Sequence, residues 1–360
     1  MMPKANTLII AEAGVNHNGS MEIARNLIDA AADSGADAVK FQSFVASSLV
    51  TSTAKKAGYQ IAQTGSNENQ LEMLSRLELS YTQQRELFEY CKTREIEFLS
   101  TPFDGASLNF LVNDLGLSTI KVGSGELTNA PFLLEVAQRA NKIILSTGMS
   151  TLDEVRAALG VIAFGLTAQS DARPSITAFK NSLASESGNA AIRERVTILH
   201  CTTDYPTLPS DMNLLAMITL RNEFSCSIGL SDHSIGTFIA VSAVAMGAKV
   251  IEKHLTISRN LSGPDHRGSL EPDEFKTLVS NIRDIEQALG KTEKLPTVTE
   301  IENQKVARRS IVARTAINRG DIFSTDNIEI KRPGTGRSPF EYWELLGTKC
   351  TRDIAEDELI

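Results

Sequence analysis

Apolar residues in this chain come in short runs, and each run stops at a polar cluster before a stretch of helical spacing begins. The runs fall at residues 7–10, 38–39, 97–99, 119–122, 142–145, 196–199, 227–230 and 250–251. Short apolar runs bounded by turn residues predict buried strands. Between them, apolar positions recur every three to four residues. Ile23, Leu27, Ile28 and Ala31 follow an N-cap at Ser20, and Leu87, Phe88, Tyr90 and Cys91 share one face of 81–94. Further helices are predicted over 107–115 with Gly116 as stop, 131–140, 150–164, 212–221, 235–246 and 271–289. Regular strand–helix alternation predicts a parallel sheet, and eight units within about residues 7–290 suit a closed (β/α)8 TIM barrel better than an open sheet. The glycine-dense turn Val122-Gly123-Ser124-Gly125-Glu126 is not the GxGxxG that an open dinucleotide-binding sheet would carry.

Three stretches break the pattern. Residues 45–80 are polar and irregular and are expected to form a long loop over the mouth of the fold with one short helix. Residues 167–190 are rich in Ser, Ala and Asn and are expected as a surface insertion with no chemistry of their own. After residue 290 the composition shifts. A charged linker over 291–304 precedes a small, loop-rich domain over 305–360.

Bulk composition narrows the classes. A net charge of -8 gives no basic face for nucleic acid. No apolar run reaches membrane-spanning length, so no membrane partner is expected. The first residues lack a secretory apolar region, and Cys91, Cys201, Cys226 and Cys350 are widely spaced without a CxxC. Reduced thiols in a cytoplasmic protein are the expectation.

In a barrel all strand tips converge on one face, where active sites sit. The tips read Glu12; Lys40 and Gln42; Thr101; Lys121 with Ser124 and Glu126; Ser146; Thr203 and Tyr205; Ser231 with His233; and Glu252 with His254. An apolar core requires none of these. Consecutive parallel strands joined by one helix lie side by side, which brings His233 and His254 together. Two imidazoles near the carboxylates of Asp232 and Glu252 suit a divalent transition metal with positions open to substrate. Lysines, hydroxyls and glycine-flanked amides suit a phosphate and a carboxylate. A Schiff-base role for Lys40 or Lys121, as in an aldolase on the same fold, stays open at this point, as does a non-catalytic carbohydrate-binding module.

The order of the motifs then becomes recognisable. EAGVNHNG at 12–19, KFQ at 40–42, STPF at 100–103, KVGSGE at 121–126 and STGM at 146–149 are followed by HCTTDYP at 200–206, GLSDHS at 229–234 and EKH at 252–254. GPDH at 263–266 and KRPGTG at 331–336 complete the series. Over nearly its whole length the chain resembles the sialic acid synthase family, with a C-terminal antifreeze-like (SAF) domain. The resemblance implies a transferase that condenses phosphoenolpyruvate with an open-chain N-acetylmannosamine-type sugar and water. The products are a nine-carbon acid, N-acetylneuraminate, and phosphate released by C–O cleavage. The alternative within the family is an N,N'-diacetyllegionaminate synthase acting on 2,4-diacetamido-2,4,6-trideoxymannose, followed by a pseudaminate synthase.

The resemblance also implies roles. His233 and His254 would bind Mn2+ (or Mg2+). Lys40, Thr101, Lys121, Ser124, Ser146, Thr203 and Ser231 would cradle phosphoenolpyruvate, with Thr203 standing where some relatives have Asn. Gln42, Glu126, Tyr205 and Asp265 would face the sugar, and Glu12 or Glu126 would position water as general base. Arg332 would reach the N-acetyl group of the sugar in the partner's barrel, which implies a domain-swapped homodimer. His17, His200 and His266 are expected to be structural, and Cys201 a small buried filler.

Overall fold

The computed structural model describes residues 6–65, 67–169 and 171–360. Eight strands form one parallel sheet: β1 (Leu8–Gly14), β2 (Ala38–Ser43), β3 (Glu97–Pro102), β4 (Thr119–Val122), β5 (Lys142–Ser146), β6 (Val196–Cys201), β7 (Ser227–Asp232) and β8 (Val250–His254). Their order is β3-β2-β1-β8-β7-β6-β5-β4, with β3 and β4 meeting side by side to close the ring. This is the expected TIM barrel. Ser20 caps the helix Met21–Asp33 through Ile23 N, as its position before the first apolar-periodic residue predicts.

Alternation along the strands explains where chemistry can sit. Ile10, Ala38, Leu99, Ile144, Leu199 and Val250 form a small apolar cluster apart from the main core. They point into the barrel and plug it. A strand repeats its facing every two residues. Two positions further on stand Glu12, Lys40, Thr101, Ser146, Cys201 and Glu252, so the next inward layer is polar and rests on an apolar floor. Gly229 belongs to the plug, because a Cβ there would come within 2.4 Å of Val250 O and 2.6 Å of Leu199 Cδ2.

Several expected elements differ in detail. Residues 45–80 hold three short helices, Ala46–Leu49, Gly58–Thr64 and Gln70–Leu77, rather than one. The insertion at 167–190 carries helix Ile176–Ala184 and the start of Glu186–Arg195, joined at Ser185, which ends one helix and caps the next through Gly188 N. The helix expected over 107–115 is Gly105–Asn109 followed by a wider π turn, Phe110–Asp114. The helix expected over 212–221 runs Ala216–Phe224.

The chain divides into two units, Met1–Gly290 and Lys291–Ile360. In the second, the helix Val298–Ala307 occupies part of the expected linker. An antiparallel pair, β9 (Ser310–Ala313) and β10 (Ile328–Lys331), packs over its own core of Ile311, Ile317, Phe323, Ile328, Leu345 and Ile354. No helix among the described residues is long and apolar enough to cross a membrane.

Candidate active site

One cavity of about 340 Å3 opens at the C-terminal rim of the barrel. Of the residues expected in the site, Glu12, Lys40, Gln42, Thr101, Lys121, Ser124, Glu126, Ser146, Thr203, Tyr205, Ser231, His233, His254 and Asp265 all line it. Arg332 belongs to the second unit and is exposed there, its Nε donating to Ala307 O at 3.0 Å.

A charge network covers the apolar floor. Lys40 Nζ lies 2.6 Å from Glu12 Oε2 and donates to Thr101 Oγ1 at 2.9 Å. Lys121 Nζ donates to Ser146 Oγ at 2.8 Å. Between the lysines sits Glu252, at 3.7 Å from Lys40 and 3.6 Å from Lys121, accepting from Ser231 Oγ at 2.8 Å. Burial alone would raise the Glu252 carboxyl. The ammonium groups of Lys121 and Lys40, with the Ser231 hydroxyl, outweigh it and hold the group down at about 2. Glu12 goes the other way. Burial pushes its carboxyl up to about 7 despite Lys40, and the nearby Glu252 adds to the rise. Two carboxyls in one site are thus driven apart, one kept charged and one poised to exchange a proton near neutrality.

Beside this network lies a small polar cradle. Gly148 N donates to Ser124 Oγ at 2.9 Å, and a Cβ on Gly148 would stand 2.4 Å from Thr203 Oγ1 and 2.8 Å from Ser124 Oγ. Only glycine leaves these hydroxyls room. Amide, hydroxyls and Lys121 together suit a phosphate-sized anion.

The two imidazoles are adjacent, with ring centroids 5.4 Å apart. His233 Nδ1 donates to Thr202 O at 2.6 Å and its Nε2 lies 3.3 Å from Ser231 Oγ; burial would lower the pKa of this ring, but Cys201 and the Thr202 carbonyl outweigh it and raise it. His254 Nδ1 is buried without a partner, and burial beside His233 keeps that ring neutral. An unpartnered nitrogen on a neutral imidazole, as in His254, is a donor that a divalent cation takes, and His233 stands beside it. Among the described residues no three His, Cys, Asp or Glu side chains are grouped so that they could hold a metal ion. Tyr205 lies tilted against His233, with ring centroids 4.1 Å apart, and meets His254 edge-on at 5.6 Å.

Glu126 lines the mouth, but its carboxylate accepts from Asn129 Nδ2 at 2.7 Å. Asp265 is buried, and burial raises its carboxyl to about 6. Its backbone is tied down: Ser269 Oγ donates to Asp265 O at 2.7 Å, and Asn16 Nδ2 reaches both Ser269 Oγ and Leu255 O at 2.9 Å. Glu252, which the sequence reading named only as a carboxylate beside the imidazoles, is the centre of the network. Its partner in that reading, Asp232, faces away and pairs with Lys253 at 2.9 Å. Strand alternation relative to His254 carries this signal. Tyr59, Leu74 and other residues of 46–77 also line the cavity, and the sequence reading gave them no role in the site.

A barrel whose rim joins an anion cradle, a paired-carboxyl network and two adjacent imidazoles has the make-up of an enzyme of anionic substrates. The chain belongs to the NeuB family, whose model matches residues 27–294, and an SAF domain matches 308–360. It is therefore a sialic-acid-type synthase. It is 46% identical over 354 residues to the N,N'-diacetyllegionaminic acid synthase of Campylobacter jejuni, covering 98% of both chains. It is 42% identical to the Legionella pneumophila protein of the same name, covering 96% of this chain and 91% of that one. The solved N-acetylneuraminic acid synthetase of Leptospira borgpetersenii is 31% identical, with a TM-score of 0.64 over 83% of this chain and 90% of that one. The sequence reading placed the neuraminate product first and the legionaminate product second. The similarity runs the other way.

Proposed function

We propose that this enzyme condenses phosphoenolpyruvate with 2,4-diacetamido-2,4,6-trideoxymannose and water to give N,N'-diacetyllegionaminic acid and phosphate. The 46% and 42% identities to two proteins of that name carry the choice of acceptor. The reaction class rests on the lysines, hydroxyls and imidazoles gathered at one rim.

Lys40, Lys121, Ser124, Ser146, Thr203 and Ser231 hold the phosphate and carboxylate. His233 and His254 would hold Mn2+ or Mg2+, which when bound supplies Lewis-acid polarisation of the acceptor aldehyde. C3 of the enol phosphate attacks that aldehyde carbon, and positive charge develops at C2, which the buried carboxylate of Glu252 at the same rim would offset. Water adds at C2 and gives one proton to a carboxylate, which passes it to the acceptor oxygen, now a hydroxyl; the new C2 hydroxyl then gives its proton to the phosphate as the C2–O bond breaks and the ketone forms. Glu12 suits this proton better than Glu126, because its carboxyl sits near 7 whereas Glu126 is committed to Asn129. Gln42, Tyr205 and Asp265 would orient the sugar. The working form is a homodimer in which Arg332 reaches the acetamido group bound to the partner.

Phosphate release and product mass decide the matter, measured with the trideoxy acceptor and with N-acetylmannosamine, with and without EDTA. The expected result is metal-dependent release that is faster with the trideoxy sugar. Release favouring N-acetylmannosamine would restore the neuraminate reading. Chelator-resistant turnover with borohydride trapping would point to a lysine aldolase.

A further inference from the structure

We propose that an apolar wall at the barrel mouth, formed by Leu49, Val50 and Leu74 over Met73 and Leu77, reads the far end of the acceptor and selects methyl-bearing tails over hydroxylated ones. This rests on the reading above that a sugar aldehyde enters this mouth.

The cavity has two unlike sides. Lysines, hydroxyls and imidazoles crowd the side described above. Leu49, Val50, Met73, Leu74 and Leu77 line the same cavity from the segment 46–77, which also contributes Tyr59, Gln60 and Gln70. Met73 and Leu77 are buried at 1% and 5% exposure in a satellite cluster with Val15, Phe44 and Ala46, and Leu49, Leu74 and Phe103 pack at its edge. The wall is therefore supported from beneath, not a set of loose surface side chains. Leu49, Val50 and Leu74 remain half-buried and turned to the cavity, and none carries a donor or acceptor.

A reactant with a carbonyl at one end fits such a site in one orientation. The carbonyl goes to the imidazoles, and the remaining carbons run toward the mouth and its wall. A deoxygenated end carbon and acetamido methyls bury apolar surface there. A hydroxymethyl group against Leu49, Val50 and Leu74 gives up water without gaining a partner from these side chains. Apolar pockets discriminate modestly, by about 10–200-fold for a methylene-sized difference, so the wall accounts for a preference and not an absolute exclusion.

The test compares kcat/KM for the two acceptors on the full-length enzyme with Mn2+ and saturating phosphoenolpyruvate. Variants are Leu74→Gln, Val50→Thr, which keeps the shape and adds a hydroxyl, and Leu74→Met as an apolar control. In the wild type the trideoxy acceptor is expected to be favoured about tenfold or more. Each polar variant should cut that ratio by about tenfold with the KM for phosphoenolpyruvate unchanged, and Leu74→Met should keep it. If Leu74→Gln melts early, Val50→Thr decides. An unchanged ratio in well-folded polar variants that still turn over both sugars would overturn the wall alone. A wild type that releases phosphate with neither sugar would overturn the proposed reaction and the wall with it.

Discussion

Lys253 Nζ stands 2.9 Å from Asp232 Oδ2, and neither side chain is exposed at all. Strand alternation puts this pair on the outer face of the barrel wall, back to back with His233 and His254. Asp232 also accepts from Ser234 N at 2.8 Å and Ser234 Oγ at 2.6 Å, while Lys253 donates to Ser234 O. The pair thus clamps the turn that follows His233. Removing one member of a buried pair leaves an uncompensated charge, at a cost of about 3–5 kcal/mol. Lys253→Met should lose that much in urea unfolding at pH 7, and the double variant Asp232→Asn, Lys253→Met should recover part of it. A loss below about 1 kcal/mol, the range of an exposed pair, would show that the pair is not buried.

Glu252 between Lys40 and Lys121 makes a second prediction, with opposite signs for neighbouring residues. Lys121 can offer an anion a charge-assisted hydrogen bond, a group worth about 1.5–3 kcal/mol. Lys121→Met should weaken phosphoenolpyruvate binding by about ten- to a hundredfold in calorimetry. Glu252→Gln removes a negative charge from between the lysines, so binding should tighten while turnover falls. Weaker binding in both variants would mean that the anion does not sit over this network.

His17 is buried, its Nδ1 accepting from Gly19 N at 3.0 Å, and burial with His266 nearby lowers its pKa to about 4. A depressed histidine contributes stability that is present above its unfolded value of 6.5 and is lost as pH falls through about 4. The buried carboxyls of Glu12 and Asp265 shift the opposite way, so the wild-type profile alone mixes the two. The difference between wild type and His17→Asn isolates the ring. That difference should shrink by up to about 3 kcal/mol between pH 7 and pH 4 in denaturant titrations. A pH-independent difference would mean that the ring is already hydrated.

The sequence carried most of the barrel site because the same two-residue period sets both the plug and the layer above it. Polar residues two places beyond Ile10, Ala38, Leu99 and Ile144 can face only the interior, so Glu12, Lys40, Thr101 and Ser146 were legible as a group. The same period assigns Glu252 inward and Asp232 outward. Both read alike as carboxylates beside a histidine until alternation is applied to each strand. The segment 46–77 was not legible as a wall. Its helices are short, and Met73 and Leu77 are buried by Val15 and Phe44, which lie far away in the chain. Helix Ile176–Ala184 buries no residue fully, which is why its periodicity read as weak.

Arg332 tests the dimer. It precedes Pro333 through a cis bond, and among the described residues its terminal nitrogens have no partner. Arg332→Ala should raise the KM for the acetamido sugar and leave that for phosphoenolpyruvate unchanged, since the anion cradle lies wholly in the barrel. In a symmetric pair that exchanges this arginine, Arg332→Ala chains keep intact barrels and His233→Ala chains keep the arginine. Random mixing makes half the dimers mixed, each with one complete site, so at sugar concentrations far below the raised KM, where neither parent turns over appreciably, the mixture should regain about a quarter of wild-type turnover. Chains that mix, as shown by mass of a tagged pair, yet regain nothing would place the arginine in its own chain's site or in none.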